Sequence, residues 1–364
     1  MNSELHDDRP LHDDRKGRHY YTTSCNGDPL RSPCGGLLNC PRVPLACLPT
    51  PLVEASRLAK ITGGPRLWIK RDDMTGFGFG GNKIRGLEFL LADALAQGAD
   101  TLVTGAAPQS NHVRATATVA AHAGLSMVAV YSGSPPAKIE GNYRLTHLTG
   151  AEIRFTHDPE RASVDGAIEV VAEELRAAGR KPYTIPRGGA SVLGTLGYVL
   201  AVRELAEQCV AQGIVPDVIV LATGSCATHA GLVAGVQALS LPWRIEGFTV
   251  SRPVEEVRKR VLALAQAALD KLGLQGAITD QAVIVHGGFI GEGYGIPTAE
   301  GADAIRIAAR SEGIFLDPTY TGKALAGYMA YCRTGHFHPG ETVIFLHTGG
   351  EPALFVGEGS WCYA

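Results

Sequence analysis

Short apolar runs alternate with amphipathic stretches along most of the chain. RLWIK (66–70), TLVTG (101–105) and DVIVLATG (217–224) predict strands, and apolar residues recur at helical spacing in 83–99 and 165–179. The nearly continuous apolar run at 217–224 is typical of a parallel strand that is buried on both faces. The repeated alternation of strand and helix predicts an α/β fold of open, mainly parallel, twisted sheets flanked by helices.

Three polar loops follow predicted strands. They are APQSNH (107–112), TGSCATH (223–229) and HTGGE (347–351). In open parallel sheets, ligands bind beyond the carboxyl ends of the strands. We therefore expect the three loops to meet at one site.

Residues 1–40 differ from the rest of the chain. They repeat LHDDR at 5–9 and 11–15 and are rich in charged residues, glycine, proline and serine. This composition predicts a poorly ordered extension. A translated leader without a role is an equally good interpretation.

Composition and charge narrow the class of protein. Of 364 residues, 45% are apolar and 19% charged, and the net charge of −3 indicates no nucleic-acid or membrane-surface partner. No apolar run approaches the roughly 20 residues of a membrane span, and the polar N-terminus is unlike a secretory signal. The eight cysteines include no C-x-x-C pair, which argues against a metal site and favours reduced thiols in a cytoplasmic protein.

The stretch ATGSCATHAGL (222–232) predicts a strand, a tight loop and a helix. The backbone N–H groups of such a loop and the positive end of its helix form an anion site. Ser225 and Thr228 add hydroxyl donors to it. A turn that binds nothing is the alternative.

The QSNH segment places four polar side chains after a buried strand, which is more than helix capping requires. A helix N-terminus here would suit the carboxylate of an amino acid. The residues are Gln109, Ser110, Asn111 and His112. For His112 alone, a structural role explains the sequence equally well.

The stretch TGFGFGGNKIRG (75–86) matches G-x-G-x-x-G, the dinucleotide-binding pattern. The charged segment RDDMT separates its glycines from the preceding strand, which is too long for the tight turn of that motif. Lys83 then lies at the start of a predicted helix, where the helix dipole lowers the pKa of an amine and favours a nucleophile. A solvated surface lysine is the alternative.

Two tyrosines, Tyr294 and Tyr320, occur in turn-rich segments. A single tyrosine in a loop usually serves packing, but two near candidate ligand loops suit proton donors or substrate contacts.

Taken together, these motifs resemble the pyridoxal-phosphate enzymes of the tryptophan-synthase β-subunit fold (fold type II), and more narrowly the D-cysteine desulfhydrase and 1-aminocyclopropane-1-carboxylate (ACC) deaminase family. The matching segments run in family order from residue 41 to about 357. They are PRVPLACLPTPL, WIKRDDMTG, GGNKIRGLEFLLADALAQGADTLVTG, QSNH, ATGSCATHAGL, DPTYTGKALAG and HTGGEPALF. The resemblance implies a homodimer whose larger, cofactor-binding domain comprises 41–85 and 198–364, with 86–197 as a smaller domain.

The resemblance also implies roles for individual residues. Lys83 would hold pyridoxal 5′-phosphate through a Schiff base and carry the Cα proton, and Ser110 is a possible second proton carrier. Asn82 would contact the ring hydroxyl, and Thr348 would face the ring nitrogen. The phosphate would be held by Ser225, Cys226, Ala227 and Thr228. The substrate would be bound by Gln109, Ser110, Asn111, His112, Tyr294, Tyr320 and Thr321, the two tyrosines also serving catalysis.

Thr321 and Thr348 match the desulfhydrase pattern, whereas ACC deaminases have Glu and Leu there. A threonine hydroxyl does not keep the ring nitrogen protonated, which an α,β-elimination with a good leaving group tolerates. The resemblance therefore implies a lyase that converts D-cysteine to pyruvate, hydrogen sulfide and ammonia. ACC deaminase, cysteate sulfo-lyase and a β-substitution enzyme of specialised metabolism are alternatives that use the same cofactor.

Two positions depart from the family pattern. Gly86 stands where a lysine usually lies near the phosphate, and the loop reads Ser-Cys-Ala-Thr instead of Ser-Gly-Gly-Thr. The backbone donors are retained provided that neither substituted residue needs a positive φ. These departures leave open a non-catalytic ligand-binding protein, and the G-x-G-x-x-G pattern leaves open a nicotinamide dehydrogenase.

Overall fold

A computed structural model describes residues 40–357 of the chain. The predicted extension, residues 1–40, lies outside the described residues except for Cys40. No helix in the described part of the chain combines the length and the hydropathy that crossing a bilayer requires.

Residues 40–357 contain ten strands, in an order close to the predicted one. They are β1 (Leu52–Glu54), β2 (Arg66–Arg71), β3 (Thr101–Ala106), β4 (Ser126–Tyr131), β5 (Glu152–Phe155), β6 (Pro182–Thr184), β7 (Val218–Thr223), β8 (Arg244–Thr249), β9 (Ile284–His286) and β10 (Thr342–His347). All six residues of β7 are buried, as its apolar run predicts for a central parallel strand.

In the same described part of the chain, ten α-helices lie between and around these strands. They are α1 (Ser56–Thr62), α2 (Lys83–Ala96), α3 (Asn111–Ala123), α4 (Gly141–Leu148), α5 (Ser163–Ala177), α6 (Val192–Gln212), α7 (Ala227–Ala238), α8 (Val254–Lys271), α9 (Ala299–Glu312) and α10 (Thr321–Arg333). Serine and threonine side chains cap α3, α6 and α9 at their N-termini.

The strands form two separate sheets. The larger has the order β1-β2-β10-β7-β8-β9, and the smaller has the order β5-β4-β3-β6. Every pairing is parallel except that of β1 with β2. This confirms the predicted fold class. The smaller sheet lies within 86–197 and the larger within 41–85 and 198–364, although the domain boundaries themselves stay a prediction.

The three polar loops meet, as the sequence predicts, because their strands run in the same direction. The loops after β3, β7 and β10 all leave the carboxyl ends of parallel strands, and residues from each line one cleft. The glycine-rich loop before α2 reaches the same place, since a β-carbon at Gly349 would lie 2.8 Å from the Cα of Gly81. Only glycine permits this backbone contact.

Candidate active site

A cleft of about 760 Å³, including the space open to solvent, lies between the two sheets. Its size suits a cofactor together with a small substrate. Among its lining residues are most of the side chains singled out from the sequence. These are Asn82, Lys83, Ser110, Asn111, His112, Ser225, Cys226, Thr228, Tyr294, Tyr320 and Thr348.

Lys83 is the first residue of α2, and its amine points into the cleft. Nζ donates to the carbonyl oxygen of Gly188 and to the hydroxyl of Ser225, each at 3.1 Å. Both partners are neutral, and burial, only partly offset by the neighbouring Cys226, lowers the pKa of Lys83 to about 8. Such an amine is deprotonated far more readily than a surface lysine and can act as a nucleophile near neutral pH.

The turn from β7 into α7 is the candidate phosphate site. The first N–H groups of helix α7, which begins at Ala227, lack an intrahelical acceptor, as at any helix N-terminus, and no side chain among the described residues caps them. An anion at this helix N-terminus would supply that acceptor. Cys226, directly before the helix, has a φ of 80°. Retention of the backbone donors requires that the residues replacing the two glycines of this loop do not need a positive φ. Cys226 does not meet that condition, and its β-carbon is strained in this conformation.

The segment before α2 is joined to both sides of the cleft. Nδ2 of Asn82 donates to the hydroxyl of Thr228 at 2.8 Å, and the backbone N–H of Asn82 donates to the carbonyl oxygen of Thr348 at 3.0 Å. The amide of Asn82 is thereby fixed beside Lys83. These bonds place the loop after β10 and the start of α7 at fixed positions around the amine.

Ser110 caps α3, accepting a hydrogen bond from the N–H of Val113 at 3.2 Å. Its hydroxyl proton is not consumed by this cap, so Ser110 can still donate into the cleft. His112 is 2% exposed, and Nε2 lies 3.2 Å from the hydroxyl of Thr104 while Nδ1 is buried without a partner. Burial and the neighbouring Lys83 lower the pKa of His112 to about 3, so the imidazole is neutral.

Three of the residues singled out from the sequence are not among the side chains that line this cleft. Gln109 donates to the carbonyl oxygen of Glu140 and accepts from the N–H of Asn142. Thr321 is fully buried and donates to Asp317 at 2.7 Å. Ala227 is the buried first residue of α7. Gln109 and Thr321 therefore shape neighbouring loops in this structure.

The two tyrosines meet through their hydroxyl groups, which share a hydrogen bond. Burial, and then the adjoining Tyr294, raise the pKa of Tyr320 well above its ordinary value, so its hydroxyl stays protonated. The guanidinium of Arg161 covers the ring of Tyr294, with Cζ 3.6 Å from the ring centroid. The loop that carries Tyr320 is fixed by Asp317, which accepts from the N–H groups of residues 319, 320 and 321.

The cleft is electropositive. Lys83, Arg161, Arg187 and Arg252 line it, and the lining contains no aspartate or glutamate in the described part of the chain. Burial lowers the pKa of Arg187, and the positive charges of Arg252 and Arg161 add to this effect. This charge suits a ligand that carries a phosphate and a carboxylate. The sequence did not single out the three arginines, because they are far apart along the chain and belong to no motif.

A buried ion network beneath the cleft supports α2. Arg85, two residues after Lys83, binds Asp72 through two hydrogen bonds of 2.8 Å and Glu204 through two of 2.9 Å. Lys70 is paired with the same glutamate. Burial acts to raise the pKa of Asp72, but Arg85 outweighs it, and the pKa falls to about 2. The network joins β2, α2 and α6 and thereby fixes the direction in which α2 presents Lys83.

At Gly86 the structure explains the departure from the family pattern. A β-carbon at residue 86 would lie 2.6 Å from the carbonyl oxygen of Gly194 in α6. A lysine at residue 86 would therefore require the two helices to separate. The cations nearest the cleft come instead from Arg161, Arg187 and Arg252.

Comparison with known proteins agrees with this geometry. A family model described as "Pyridoxal-phosphate dependent enzyme" matches residues 43–349, which include both sheets and the cleft. This chain belongs to the pyridoxal-phosphate-dependent enzyme family. Its cofactor is accordingly pyridoxal phosphate, and the buried Lys83, the uncapped start of α7 and the electropositive lining fit that group.

Curated relatives within this family are named D-cysteine desulfhydrase. The protein of Salmonella choleraesuis is 42% identical over 331 residues, which cover 89% of this chain and 98% of that protein. The protein of Salmonella paratyphi C is 41% identical over the same length and coverage. Such identity over nearly the whole length of the relatives shows that the chain has their fold.

Solved structures lead to the same fold. One described as an ACC deaminase homologue has a TM-score of 0.83 at 39% identity, covering 89% of this chain and 96% of its own. O-ureido-L-serine synthase has a TM-score of 0.60 at 20% identity, covering 86% of this chain, and shows likeness of fold alone.

Proposed function

We propose that this pyridoxal-phosphate enzyme catalyses α,β-elimination on a small amino acid, with D-cysteine as substrate and pyruvate, hydrogen sulfide and ammonia as products. The observation that carries the proposal is the amine of Lys83. It is buried among neutral partners, its pKa is lowered to about 8, and it opens on the cleft in which the candidate phosphate site lies. Two curated relatives that bear the name D-cysteine desulfhydrase support the choice of substrate.

Pyridoxal phosphate, when bound, supplies a carbonyl for the substrate amine and an electron sink for the electrons of the broken Cα–H bond. The uncapped N–H groups at the start of α7 would hold the phosphate, with Ser225 and Thr228 adding hydroxyl donors. Asn82 is positioned for the ring hydroxyl, and Thr348 for the ring nitrogen. Each of these side chains lines the cleft.

Lys83 is the group proposed to accept the Cα proton. A general base is most effective when its pKa lies near the working pH, and burial brings the pKa of Lys83 to about 8. Gly188 and Ser225 are the partners of Nζ in the described structure and limit the directions in which the amine can move. The hydroxyl of Ser110, whose oxygen caps α3, is the proposed second proton carrier.

The substrate carboxylate is assigned to the N-terminus of α3, where Ser110 and Asn111 lie. His112 is neutral there. Because the hydroxyl of Thr104 donates to the carbonyl oxygen of Ile185, Nε2 of His112 donates to Thr104 and Nδ1 is left as an acceptor. The hydroxyl of Tyr320, which shares a hydrogen bond with that of Tyr294, retains a proton that can pass to the departing sulfur. Burial keeps that hydroxyl neutral until the leaving group arrives.

Thr348 favours elimination over ring opening. It lines the cleft, and the lining contains no carboxylate in the described residues that could keep the ring nitrogen protonated. A weaker electron sink suffices when a good leaving group departs as the proton is removed. ACC has no Cα proton, so its ring opening needs more stabilisation of charge than this lining offers.

The decisive experiment is a product assay of the purified holoenzyme with D-cysteine, L-cysteine, ACC and cysteate. We expect sulfide and pyruvate from D-cysteine, no product after Lys83→Ala, and full activity after Lys181→Ala, which removes an exposed lysine. Production of 2-oxobutyrate or sulfite instead would assign the alternative substrates, and product formation only with an added nucleophile would assign β-substitution. Absence of turnover throughout would indicate a ligand-binding protein.

We further propose that the enzyme is a cytoplasmic homodimer. The support is the family resemblance and the buried thiols of Cys209, Cys226 and Cys332, which suit a reducing compartment. Light scattering coupled to size-exclusion chromatography measures the assembly directly, and a monomeric mass would refute it.

A further inference from the structure

A second cluster of polar side chains lies on the larger sheet, outside the set that lines the cleft. Glu246 in β8 is 1% exposed, and its Oε2 lies 2.7 Å from Nε2 of His286 and 2.8 Å from Nε2 of His336. Arg244 binds the other carboxylate oxygen, Oε1, at 3.1 Å. Two imidazole nitrogens from separate parts of the chain therefore converge on one carboxylate oxygen.

Ring contacts hold both imidazoles in place. The ring centroid of Tyr331 lies 4.6 Å from that of His286 and 5.0 Å from that of His336. Phe248 lies 4.9 Å from His286, and Phe337 lies 4.8 Å from His336. Because packing already immobilises the rings, binding a ligand to the three groups would cost little side-chain entropy.

We propose that Glu246, His286 and His336 bind one divalent transition-metal cation, for which Zn²⁺ is the best match. Imidazole nitrogen together with carboxylate oxygen suits Zn²⁺, whereas Ca²⁺ and Mg²⁺ prefer oxygen alone. The three ligand atoms lie within 4.8 Å of one another. Zinc bonds of about 2.0–2.1 Å in tetrahedral geometry separate ligand atoms by roughly 3.3 Å, so on binding each imidazole nitrogen moves about half an ångström away from Oε2 of Glu246.

The surroundings provide access and a fourth ligand. The side chain of His336 is 38% exposed, so a cation can enter from solvent, and water can complete the tetrahedron. Without metal, both Nε2 atoms donate hydrogen bonds to the carboxylate. A cation replaces these two protons and joins β8, β9 and the turn after α10. This site adds stability to one edge of the larger sheet and is independent of the elimination reaction.

The test is a titration of Zn²⁺ into holoenzyme from which metals have been removed with a chelator. Calorimetry gives the affinity, and elemental analysis after desalting gives the stoichiometry. The variants are His336→Ala and Glu246→Gln, and His338→Ala is the matched control because it removes an exposed histidine two residues away. We expect one equivalent to bind to the wild type and to His338→Ala, with a loss of affinity in both cluster variants greater than the roughly 10–100-fold cost of losing a supporting hydrogen bond.

Two further readouts separate this site from adventitious binding. Zn²⁺ should raise the unfolding temperature of the wild type and of His338→Ala but not that of His336→Ala. Co²⁺ in place of Zn²⁺ should give visible bands without a thiolate charge-transfer band, which excludes cysteine ligands. The proposal is overturned if Zn²⁺ does not bind, if His336→Ala binds it as well as the wild type does, or if a thiolate band appears.

Discussion

The backbone of Gly86 in α2 contacts that of Gly194 in α6 so closely that a β-carbon at residue 86 would lie 2.6 Å from the Gly194 carbonyl oxygen. A β-carbon at Gly197, one turn further along α6, would meet the backbone of Arg85 at 2.4 Å. The crossing of these helices therefore depends on glycine on both sides. It also sets the position of α2, whose first residue is Lys83.

We predict that Gly86→Ala lowers the free energy of unfolding by about 1–3 kcal/mol, the usual cost of overfilling a close contact. The matched control is Gly166→Ala in α5, where a new β-carbon meets nothing within 4 Å. That control should raise stability by roughly 0.5–1 kcal/mol, because alanine favours a helix more than glycine does. Denaturant unfolding of both variants measures the difference, and a stable Gly86→Ala would show that the helices can separate cheaply.

Replacing Arg85 with methionine should lower the free energy of unfolding by about 3–5 kcal/mol, because Asp72 and Glu204 would be left buried without their shared counter-ion. Arg176→Met, which breaks an exposed pair with Glu173, should cost less than about 1 kcal/mol. Chemical unfolding of the two variants under one set of conditions makes the comparison. Equal losses would mean that the buried network contributes no more than a surface ion pair.

The same network predicts how stability depends on acid. Arg85 holds the folded-state pKa of Asp72 at about 2, below the ordinary value of 3.8. A lowered pKa gives stability that is present above the unfolded-state value and lost as pH falls from 3.8 towards 2. Urea unfolding followed from pH 5 to pH 2 should show this loss in the wild type. The slope in that window should be smaller in Arg85→Met, in which Asp72 lacks its main partner.

Uptake of the cofactor by the apoenzyme should report the pKa of Lys83. Only the deprotonated amine reacts with a carbonyl, so with a pKa of about 8 the rate should rise about tenfold per pH unit below 8 and level off above it. Stopped-flow absorbance between pH 6 and pH 10 follows the reaction. A rate that continues to rise up to pH 10 would show that burial does not lower the pKa of this lysine.

At residue 226, glycine should give a more stable protein than alanine by roughly 1–2 kcal/mol, because the φ of 80° strains any β-carbon. At Cys209, inside α6, the order should reverse, with alanine ahead by about 1 kcal/mol. At each site both the glycine and the alanine variant lack the thiol, so the two variants differ mainly in the backbone conformation that each residue prefers. Thermal unfolding of the four variants measures these orders of stability. If alanine were the more stable residue at both sites, residue 226 would not be strained.

Much of the fold follows from the sequence because its signals are local and repeated. Apolar runs such as 217–224 gave strands, and strand direction brought the loops that follow them to one cleft. Lys83 was found through its motif, and the structure places its amine in that cleft. The roles of the individual side chains stay predictions.

What the sequence could not supply depends on contacts between distant residues. Gln109 and Thr321 lie in motifs, yet their side chains are bound to Asn142 and Asp317, which no periodicity relates to them. The convergence of Arg161 and Arg187 at the cleft is likewise a product of tertiary packing. The φ of Cys226 depends on how α7 leaves its strand, which residue types alone do not determine.

The two hydrogen bonds of Lys83 have a mechanical consequence. Gly188 lies in the turn that leaves the smaller sheet, Ser225 lies in the loop after a strand of the larger one, and Nζ donates to both. In this state the amine links the two halves of the cleft through its two hydrogen bonds. Once the amine has reacted with a carbonyl it can no longer donate to both oxygens, so the two halves of the cleft lose this link.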